Sequence, residues 1–276
     1  MLIWSDFQPG GYRVLCPACG TNPRKKNMRV TIDHDGHGVA FCHKCEYTES
    51  HTPNERTFIK PAPIGLKTQP VKHETLSTFG LALWADCVPV CGDGLLHLKA
   101  RRCVIPPEGA HLRYHPALRH PTGYTGPGLV ALVTDVLTGD PISLHRTWIK
   151  PDGTKADVDP PRMLLGGHRK QGGVIRLWPD EYVSHGLAIT EGIETALSLA
   201  HAYQPVWSCV DAGNLAAFPV LAGIESLVIG ADNDPAGQKA ARTCATRWAD
   251  ADREVLVTRQ SANDLNDVVK EAAHEC

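Results

Sequence analysis

The sequence lacks any apolar run that approaches the roughly 20 residues of a membrane-spanning helix. Its first residues, MLIWSDFQPGGYRVLCPACG, also lack the basic start and long apolar core of a secretory signal. Charge of one sign is not in excess, because the formal net charge is only −2. We therefore expect neither a membrane protein nor a polybasic protein that coats nucleic acid. The expected location is the cytoplasm.

Cysteine, by contrast, is plentiful. Ten cysteines without a secretion signal indicate a reducing compartment, where closely paired cysteines bind metal more often than they form disulfides. Cys16 with Cys19 and Cys42 with Cys45 form two C-x2-C pairs separated by 22 residues, the arrangement of a tetrahedral zinc ribbon. A segment of about 50 residues buries too little surface to fold unaided, so one structural Zn²⁺ per chain would supply much of its stability.

The order of segments predicts four parts. Residues 1–50 form the zinc-binding ribbon, and residues 51–74 carry four prolines without apolar periodicity, which indicates a linker. Residues 75–184 are expected to form two short helices and then short strands, including a hairpin around Thr-Gly-Asp-Pro. Residues 185–276 alternate short apolar strands with helices, as in βαβ units. The expected fold class is α/β, a mainly parallel sheet with flanking helices, preceded by a mixed α+β basic subdomain and a small β zinc ribbon.

Acidic residues follow the predicted strands of the last segment. Glu191 follows LAIT, Asp232 and Asp234 follow LVIGA, and Asp264 lies just beyond VLVT. Ligands of open α/β sheets bind at the carboxyl ends of the strands. Carboxylates gathered there repel one another unless a cation lies among them, and Mg²⁺ takes such ligands in two-metal phosphoryl transfer. A structural alternative exists for Asp234, because aspartate before Pro235 caps a helix well.

Two further features, Asp211 and the basic loop between the cysteine pairs, have explanations that require no functional role. Asp211, before Ala-Gly, reads as a turn residue. The basic loop between the cysteine pairs suits contact with a nucleic-acid backbone, but a solvated hairpin tip has the same composition. The loop contributes Arg24, Lys25, Lys26 and Arg29. Residues 99–176 add twelve lysines and arginines, as an enzyme that binds a template and a triphosphate requires.

The segments ITEGIETALS, GADNDPAGQKAA and SANDLNDVV resemble the three motifs of the Toprim domain. The family's glutamate matches Glu191, its Asp-x-Asp pair matches Asp232 and Asp234, and its later acidic motif matches Asp264, with Asp267 beside it. The resemblance implies that the three aspartates bind a catalytic Mg²⁺ or Mn²⁺. It also implies that Glu191 binds metal or transfers protons.

The order of zinc ribbon, linker, basic segment and Toprim-like segment is similar to that of the bacterial and phage replicative primases. This resemblance implies a DNA primase, a nucleotidyltransferase that makes short RNA primers on single-stranded DNA from ribonucleoside triphosphates. HRTWIKPDGTK and PPRMLLGG resemble, more loosely, the basic motifs of those enzymes. They make Arg146, Lys155 and Arg162 the candidates for substrate and template binding.

The sequence contains no P-loop, so we expect a stand-alone enzyme of phage or mobile-element type, acting in a bacterial or phage-infected cell. Its expected partner is a replicative helicase in trans, with no membrane involved. Two other functions stay open: a Toprim nuclease, and a non-catalytic protein that binds DNA through the zinc ribbon and recruits a helicase. A topoisomerase is disfavoured, because no tyrosine stands in a recognisable nucleophile context.

Overall fold

The computed structural model describes residues 2–20, 26–52, 73–258 and 265–266. Contacts divide the chain into two units, Met1–Lys67 and Thr68–Cys276, and each unit has a sheet of its own. The finer boundaries expected from the sequence stay predictions. None of the helices in the described ranges is long and apolar enough to cross a membrane.

The first unit is a four-stranded antiparallel sheet in which the strands pair in chain order. These strands are β1 (Gly10–Val14), β2 (Met28–Ile32), β3 (Gly38–Cys42) and β4 (Thr48–His51). Every second residue of β2 and β3 is buried, so one face forms a small core and the other faces solvent. The buried face includes Cys42, which connects this core to the cysteine cluster.

The two cysteine pairs lie at the ends of β1 and β3: Cys16 and Cys19 follow β1, and Cys42 is the last residue of β3, with Cys45 in the turn after it. Cys16 Sγ lies 3.7 Å from Cys45 Sγ, Cys19 Sγ lies 3.6 Å from Cys42 Sγ, and all four sulfurs lie within 4.8 Å of one another. Four sulfurs bound at about 2.3 Å to a tetrahedral Zn²⁺ would lie about 3.8 Å apart. In each turn, a backbone amide two residues further on also donates to the first cysteine's sulfur at 3.4 Å. The structure therefore brings the four predicted ligands together at the spacing of a structural zinc site.

The second unit contains a single ten-stranded mixed sheet and five α-helices within the described ranges. Its strands are β5 (Val88–Pro89), β6 (Leu112–Arg119), β7 (Thr125–Asp135), β8 (Pro141–Trp148), β9 (Arg162–Leu164), β10 (Gly173–Arg176), β11 (Gly186–Thr190), β12 (Val206–Ser208), β13 (Ser226–Gly230) and β14 (Glu254–Val257). Its helices are α1 (Thr78–Ala85), α2 (Gly92–Ala100), α3 (Ile193–Leu199), α4 (Ala212–Ala217) and α5 (Pro235–Ala249).

The strand order is β14-β13-β11-β12-β10-β7-β6-β5, with β8 on the other edge of β7 and β9 beside β8. Strands β11 to β14 are parallel, as the alternating pattern predicts. The predicted hairpin is β7–β8. Strand β10 belongs to the basic middle segment but pairs antiparallel with β12, with Ile175 opposite Ser208. One sheet thus runs through both segments and fixes the basic strands relative to the parallel ones.

Helices cover both faces of the parallel strands. Ala188 of β11 packs in one core cluster with Ala196 of α3, whereas its neighbours Leu187 and Ile189 pack in another with Trp248 of α5. Parallel strands require such cover because both of their faces are apolar. The closing helix predicted over DLNDVVKEAA lies mostly outside the described residues. Its Leu265 and Asn266 are helical, and the Asn266 amide donates to Ser198 Oγ at 2.9 Å.

Loss of one cysteine of the cluster should empty it of metal. Cys42→Ser removes a thiolate from the predicted site, so we expect the zinc content to fall from about one ion per chain to near zero. The first unit should then lose protection in hydrogen exchange while the second keeps it. Metal analysis and hydrogen exchange check this, with Cys91→Ser, an exposed cysteine outside the cluster, as the control. Metal-free wild-type protein with a protected first unit would contradict the prediction.

Candidate active site

Acidic residues meet at the carboxyl edge of the parallel strands. Glu191 follows β11, Asp211 follows β12 and Asp232 follows β13, and all three line one cleft of about 320 Å³. Glu191 and Asp232 are expected there from the sequence. Asp211 is not, although its place directly after a strand of the βαβ region is a signal that could have identified it. Its Oδ1 also accepts a hydrogen bond from the Asn214 amide at 3.0 Å, so it caps α4 as well.

Glu191 lies where its negative charge is disfavoured. Burial, and then the charges of Asp232, Asp234 and Asp211, raise its pKa to about 7. Its Oε1 is buried and has no hydrogen-bond partner. A buried oxygen without a partner, beside further carboxylates, is the position that a divalent cation would stabilise. The donor set therefore fits Mg²⁺ or Mn²⁺.

The Asp-Asn-Asp segment joins β13 to α5. Asp234 is the N-cap of α5, because its Oδ1 accepts a hydrogen bond from the Gly237 amide at 2.7 Å and Pro235 follows it. The structural alternative for Asp234 is thus confirmed, and its role as a metal ligand stays a prediction. The Thr195 hydroxyl lies 3.4 Å from Asp232 Oδ1 and orients this carboxylate.

Asp264, the last predicted ligand, lies outside the described residues, as does Asp267. Within the described ranges, no three carboxylates approach one another as closely as the four cysteine sulfurs do. The acidic edge is therefore a looser arrangement than the cysteine cluster, and Glu191 with Asp232 forms its described centre.

Gly237 lies where α5 comes closest to this edge. A β-carbon at this position would lie 2.6 Å from Glu191 Oε1 and 2.8 Å from the backbone oxygen of Asp232. Only glycine allows the first turn of the helix to approach so closely.

Strands β8 and β9 contribute another wall of the cleft. Alternation along β8 turns His145 and Thr147 to the cleft, and Arg162 of β9, which pairs with Thr147, lines it too. Burial, and then the charge of Arg162, lower the pKa of His145 to about 4. His145 is therefore neutral at pH 7 and offers hydrogen bonds without adding charge. No local pattern in the sequence pointed to this residue.

Arg146, a predicted template contact, lies on the opposite side of β8 and does not line the cleft. Its side chain is buried at 7% exposure, donates to Leu164 O at 3.4 Å, and lies over Trp148 with its guanidinium carbon 5.1 Å from the ring centre. This position gives Arg146 a packing role, and its contact with a template stays a prediction.

Lys155 belongs to a cluster of charges around Glu194. Its Nζ lies 3.0 Å from Glu194 Oε1, Arg101 pairs with Glu194 Oε2, and His97 Nε2 lies 3.6 Å from Oε1. Burial tends to raise the pKa of Glu194, but the hydrogen bond from His97 and the charges of Lys155 and Arg101 hold it well below its usual range. The sequence did not indicate this cluster, because its members come from distant segments.

The raised pKa of Glu191 predicts how the stability of the metal-free protein depends on pH. Protonated Glu191 is favoured in the folded state, so its contribution is present below pH 4.5 and is lost as the pH rises through about 7. Glu191→Gln carries no charge at any pH and should raise Tm at pH 8 but change it little at pH 5. Added Mg²⁺ should raise the Tm of the wild type at pH 8 more than that of the variant. Thermal melts check this, with exposed Glu254→Gln as the control, and equal wild-type and Glu191→Gln Tm values at pH 8 would count against it.

Gly237→Ala tests the close approach of α5. Alanine favours a helix over glycine by about 1 kcal/mol, but here its β-carbon would lie 2.8 Å from a backbone oxygen. We expect the contact to dominate, so Tm should fall and the Mg²⁺-induced rise in Tm should shrink. Lys239→Ala, an exposed change on the same helix, should leave both unchanged. A more stable Gly237→Ala protein with an intact Mg²⁺ response would show that the approach is not constraining.

Comparison with known protein families gives two matches. Residues 186–275 match the Toprim domain, and residues 75–177 match a domain of unknown function (DUF7146). None of the curated proteins matches the chain.

Several solved structures show distant similarity, among them three of primases. The primase fragment of the bacteriophage T7 primase-helicase protein is 18% identical, with 96% of each chain covered and a TM-score of 0.49. The zinc-binding and RNA polymerase domains of Aquifex aeolicus primase are 13% identical, with 96% of this chain and 77% of that chain covered and a TM-score of 0.47. A DNA primase domain from Pseudomonas aeruginosa is 14% identical, with coverages of 65% and 68% and a TM-score of 0.40. The family match, together with the parallel sheet and its acidic edge, identifies residues 186–275 as a Toprim domain.

Proposed function

We propose that this chain is a DNA primase, which joins ribonucleoside triphosphates into short RNA primers on single-stranded DNA. The observation that carries the proposal is the division of charge in one cleft. Carboxylates of Glu191, Asp211 and Asp232 lie on the Toprim side, and Arg162 and the neutral His145 lie on the strand wall. Two-metal nucleotidyl transfer requires both: anionic ligands for the ions, and cations for the phosphate charge that the ions leave unbalanced.

Glu191, Asp232, Asp234 and the predicted Asp264 would hold the divalent ions, which supply activation of the attacking hydroxyl and stabilisation of the leaving pyrophosphate. Near neutral pH, the raised pKa of Glu191 lets it carry a proton when no cation is bound and release it when one binds. Thr195 holds the carboxylate of Asp232 in place.

The rest of the cleft suits a nucleotide. Arg162 would balance phosphate charge, and His145 and Thr147 would donate or accept hydrogen bonds beside it. The lining also includes apolar side chains, among them Leu112 and Leu129. Apolar surroundings lower the local dielectric constant and strengthen the charge interactions within the site.

The first unit offers a surface for single-stranded DNA. Arg29 of β2 lies between Arg13 of β1 and Phe41 of β3, and all three side chains are on the solvent-exposed face of the sheet. Arginines that neutralise phosphates and an aromatic ring on which a base stacks are the elements of single-strand binding. This face supports the proposed binding of a single-stranded template by the first unit. Arg24 and Lys25 of the predicted basic loop lie outside the described residues.

Asp232→Asn tests the reaction. The change keeps the size of the side chain but removes one ligand charge, so primer synthesis should fall by several orders of magnitude, because metal ions contribute several kcal/mol to lowering the barrier. Tm should hold or rise, since one repelling carboxylate is gone. The assay combines labelled ribonucleotides, Mg²⁺ and a mixed-sequence single-stranded template, and it resolves products by size. Asp250→Asn, at the far end of α5, is the control.

Asp234→Asn separates capping from metal binding at one position. Asparagine caps helices about as well as aspartate, so a stable but inactive variant assigns Asp234 to the metal site as well as to the cap. Full activity would show that Asp234 is not part of the metal site.

The same assay on the wild type separates the alternative functions. Cleaved template without primers would identify a nuclease, and bound template without any product would identify a binding protein.

A further inference from the structure

Two glutamates of the ITEGIETALS segment lie three residues apart but in opposite electrostatic surroundings. Glu191 lies among carboxylates, and burial, followed by their charges, raises its pKa. Glu194 is surrounded by Lys155, Arg101 and His97. In the sequence, both are acids near the metal edge, and only the resemblance to the Toprim motif distinguishes Glu191.

We infer that Glu194 is a positioning residue rather than a metal ligand. It docks the β8–β9 connection and the end of α2 onto α3, and it holds the Lys155 ammonium beside the cleft. The role of Lys155 toward a nucleotide rests on the proposed function, whereas the docking itself does not.

The contacts of Glu194 leave no place for a metal ion. Lys155 Nζ lies 3.0 Å from Oε1 and 3.4 Å from Oε2, and Arg101 pairs with Oε2. An incoming divalent cation would meet two positive charges at contact distance, which repel it. The Glu194 side chain is only 16% exposed, so water screens these charges weakly.

The β8–β9 connection is also pressed against α2. His97 Nδ1 lies 2.6 Å from Gly153 O, while its Nε2 faces Glu194. A β-carbon at Gly153 would lie 3.1 Å from the backbone of Leu96, and its φ of +79° is a conformation that favours glycine. Lys155 follows two residues later, so the helix contact and the ion pair fix the same short segment.

This arrangement gives Lys155 a defined direction. A lysine ammonium has three donors, and the two oxygens of Glu194 engage part of them. The Lys155 side chain is 28% exposed, so part of it remains in contact with solvent. A phosphate oxygen of a bound nucleotide is the ligand that such a fixed, partly exposed cation would take.

The matched pair Glu194→Gln and Glu191→Gln tests the assignment. Mn²⁺ titration of the purified proteins should show Glu194→Gln within about twofold of wild type and Glu191→Gln weaker by about tenfold or more. In the primer assay, Glu194→Gln should raise KM for ribonucleotides about tenfold with a smaller change in kcat, since it loosens a binding contact. Glu194→Asp, which keeps the charge, should retain the Tm of the wild type more closely and partly restore KM.

A double-mutant cycle tests the docking without any assay of activity. Glu194→Gln and Lys155→Met should each lower Tm, and the double variant should lower it by clearly less than the sum, because the two side chains interact directly. Glu194→Gln combined with Lys239→Met on α5 should be additive. Both cycles need only thermal melts.

Three results would overturn the inference. Glu194→Gln could weaken Mn²⁺ binding as much as Glu191→Gln does, which would make it a metal ligand. The changes in Tm caused by Glu194→Gln and Lys155→Met could be additive, which would show that the two side chains do not interact and that Glu194 does not dock the connection. Glu194→Asp could fail to improve on Glu194→Gln in Tm or KM, which would show that the negative charge at this position is not required. If the wild type makes no primers, the proposed function fails, but the Mn²⁺ titration and the cycle still decide the role of Glu194.

Discussion

Negative charge gathered at one buried sheet edge is the constraint on which this site depends. Parallel strands β11, β12 and β13 end side by side, so topology, not sequence proximity, brings Glu191, Asp211 and Asp232 together. Burial and, after it, the neighbouring carboxylates raise the pKa of Glu191, so proton uptake stabilises the edge when no cation is bound. The N-terminus of α5 points at the same edge through the Asp234 cap and adds partial positive charge there. The ion pair of Asp211 with Lys170, 2.6 Å between Oδ2 and Nζ, balances part of this charge, and a proton or a metal ion at Glu191 would balance more of it.

Cations close to such an edge must be kept from pairing with its carboxylates, and Glu194 does this by binding them itself. Lysine and arginine side chains are long, and in a narrow cleft they would pair with the nearest carboxylates and compete with metal. Glu194 binds Lys155 and Arg101 on their own side. The ten-stranded sheet supports this separation, because β10 connects the parallel strands to β7 and fixes the basic wall in register. Glu194 thus keeps Lys155 and Arg101 apart from the acidic edge, where Asp211 has its own partner in Lys170.

The sequence predicted the features that depend on local spacing. Two C-x2-C pairs, a hairpin turn and acids directly after apolar strands each need only neighbouring residues, and the structure contains the cysteine cluster, the β7–β8 hairpin and Glu191 beside Asp232. Features that depend on which strands become neighbours were missed. Side chains alternate between the two faces of β8, so His145 faces the cleft and Arg146 faces away from it. The sequence shows this alternation but not which face of the strand lines the cleft. The pairing of Lys155 with Glu194 likewise requires the complete fold.

The spacing of Asp232 and Asp234 has a geometric explanation in the passage from strand to helix. Asp232 continues from β13 toward the cleft, and Asn233 is exposed and bonds Gln238 through its side chain at 2.8 Å. Asp234, still extended, caps α5, and its charge reaches Glu191. The one intervening residue lets the chain bend between the carboxylate that lines the cleft and the one that caps the helix. The next turn must then pass close to Asp232, which Gly237 permits. A single short segment therefore ends the strand, starts the helix and places two carboxylates near Glu191.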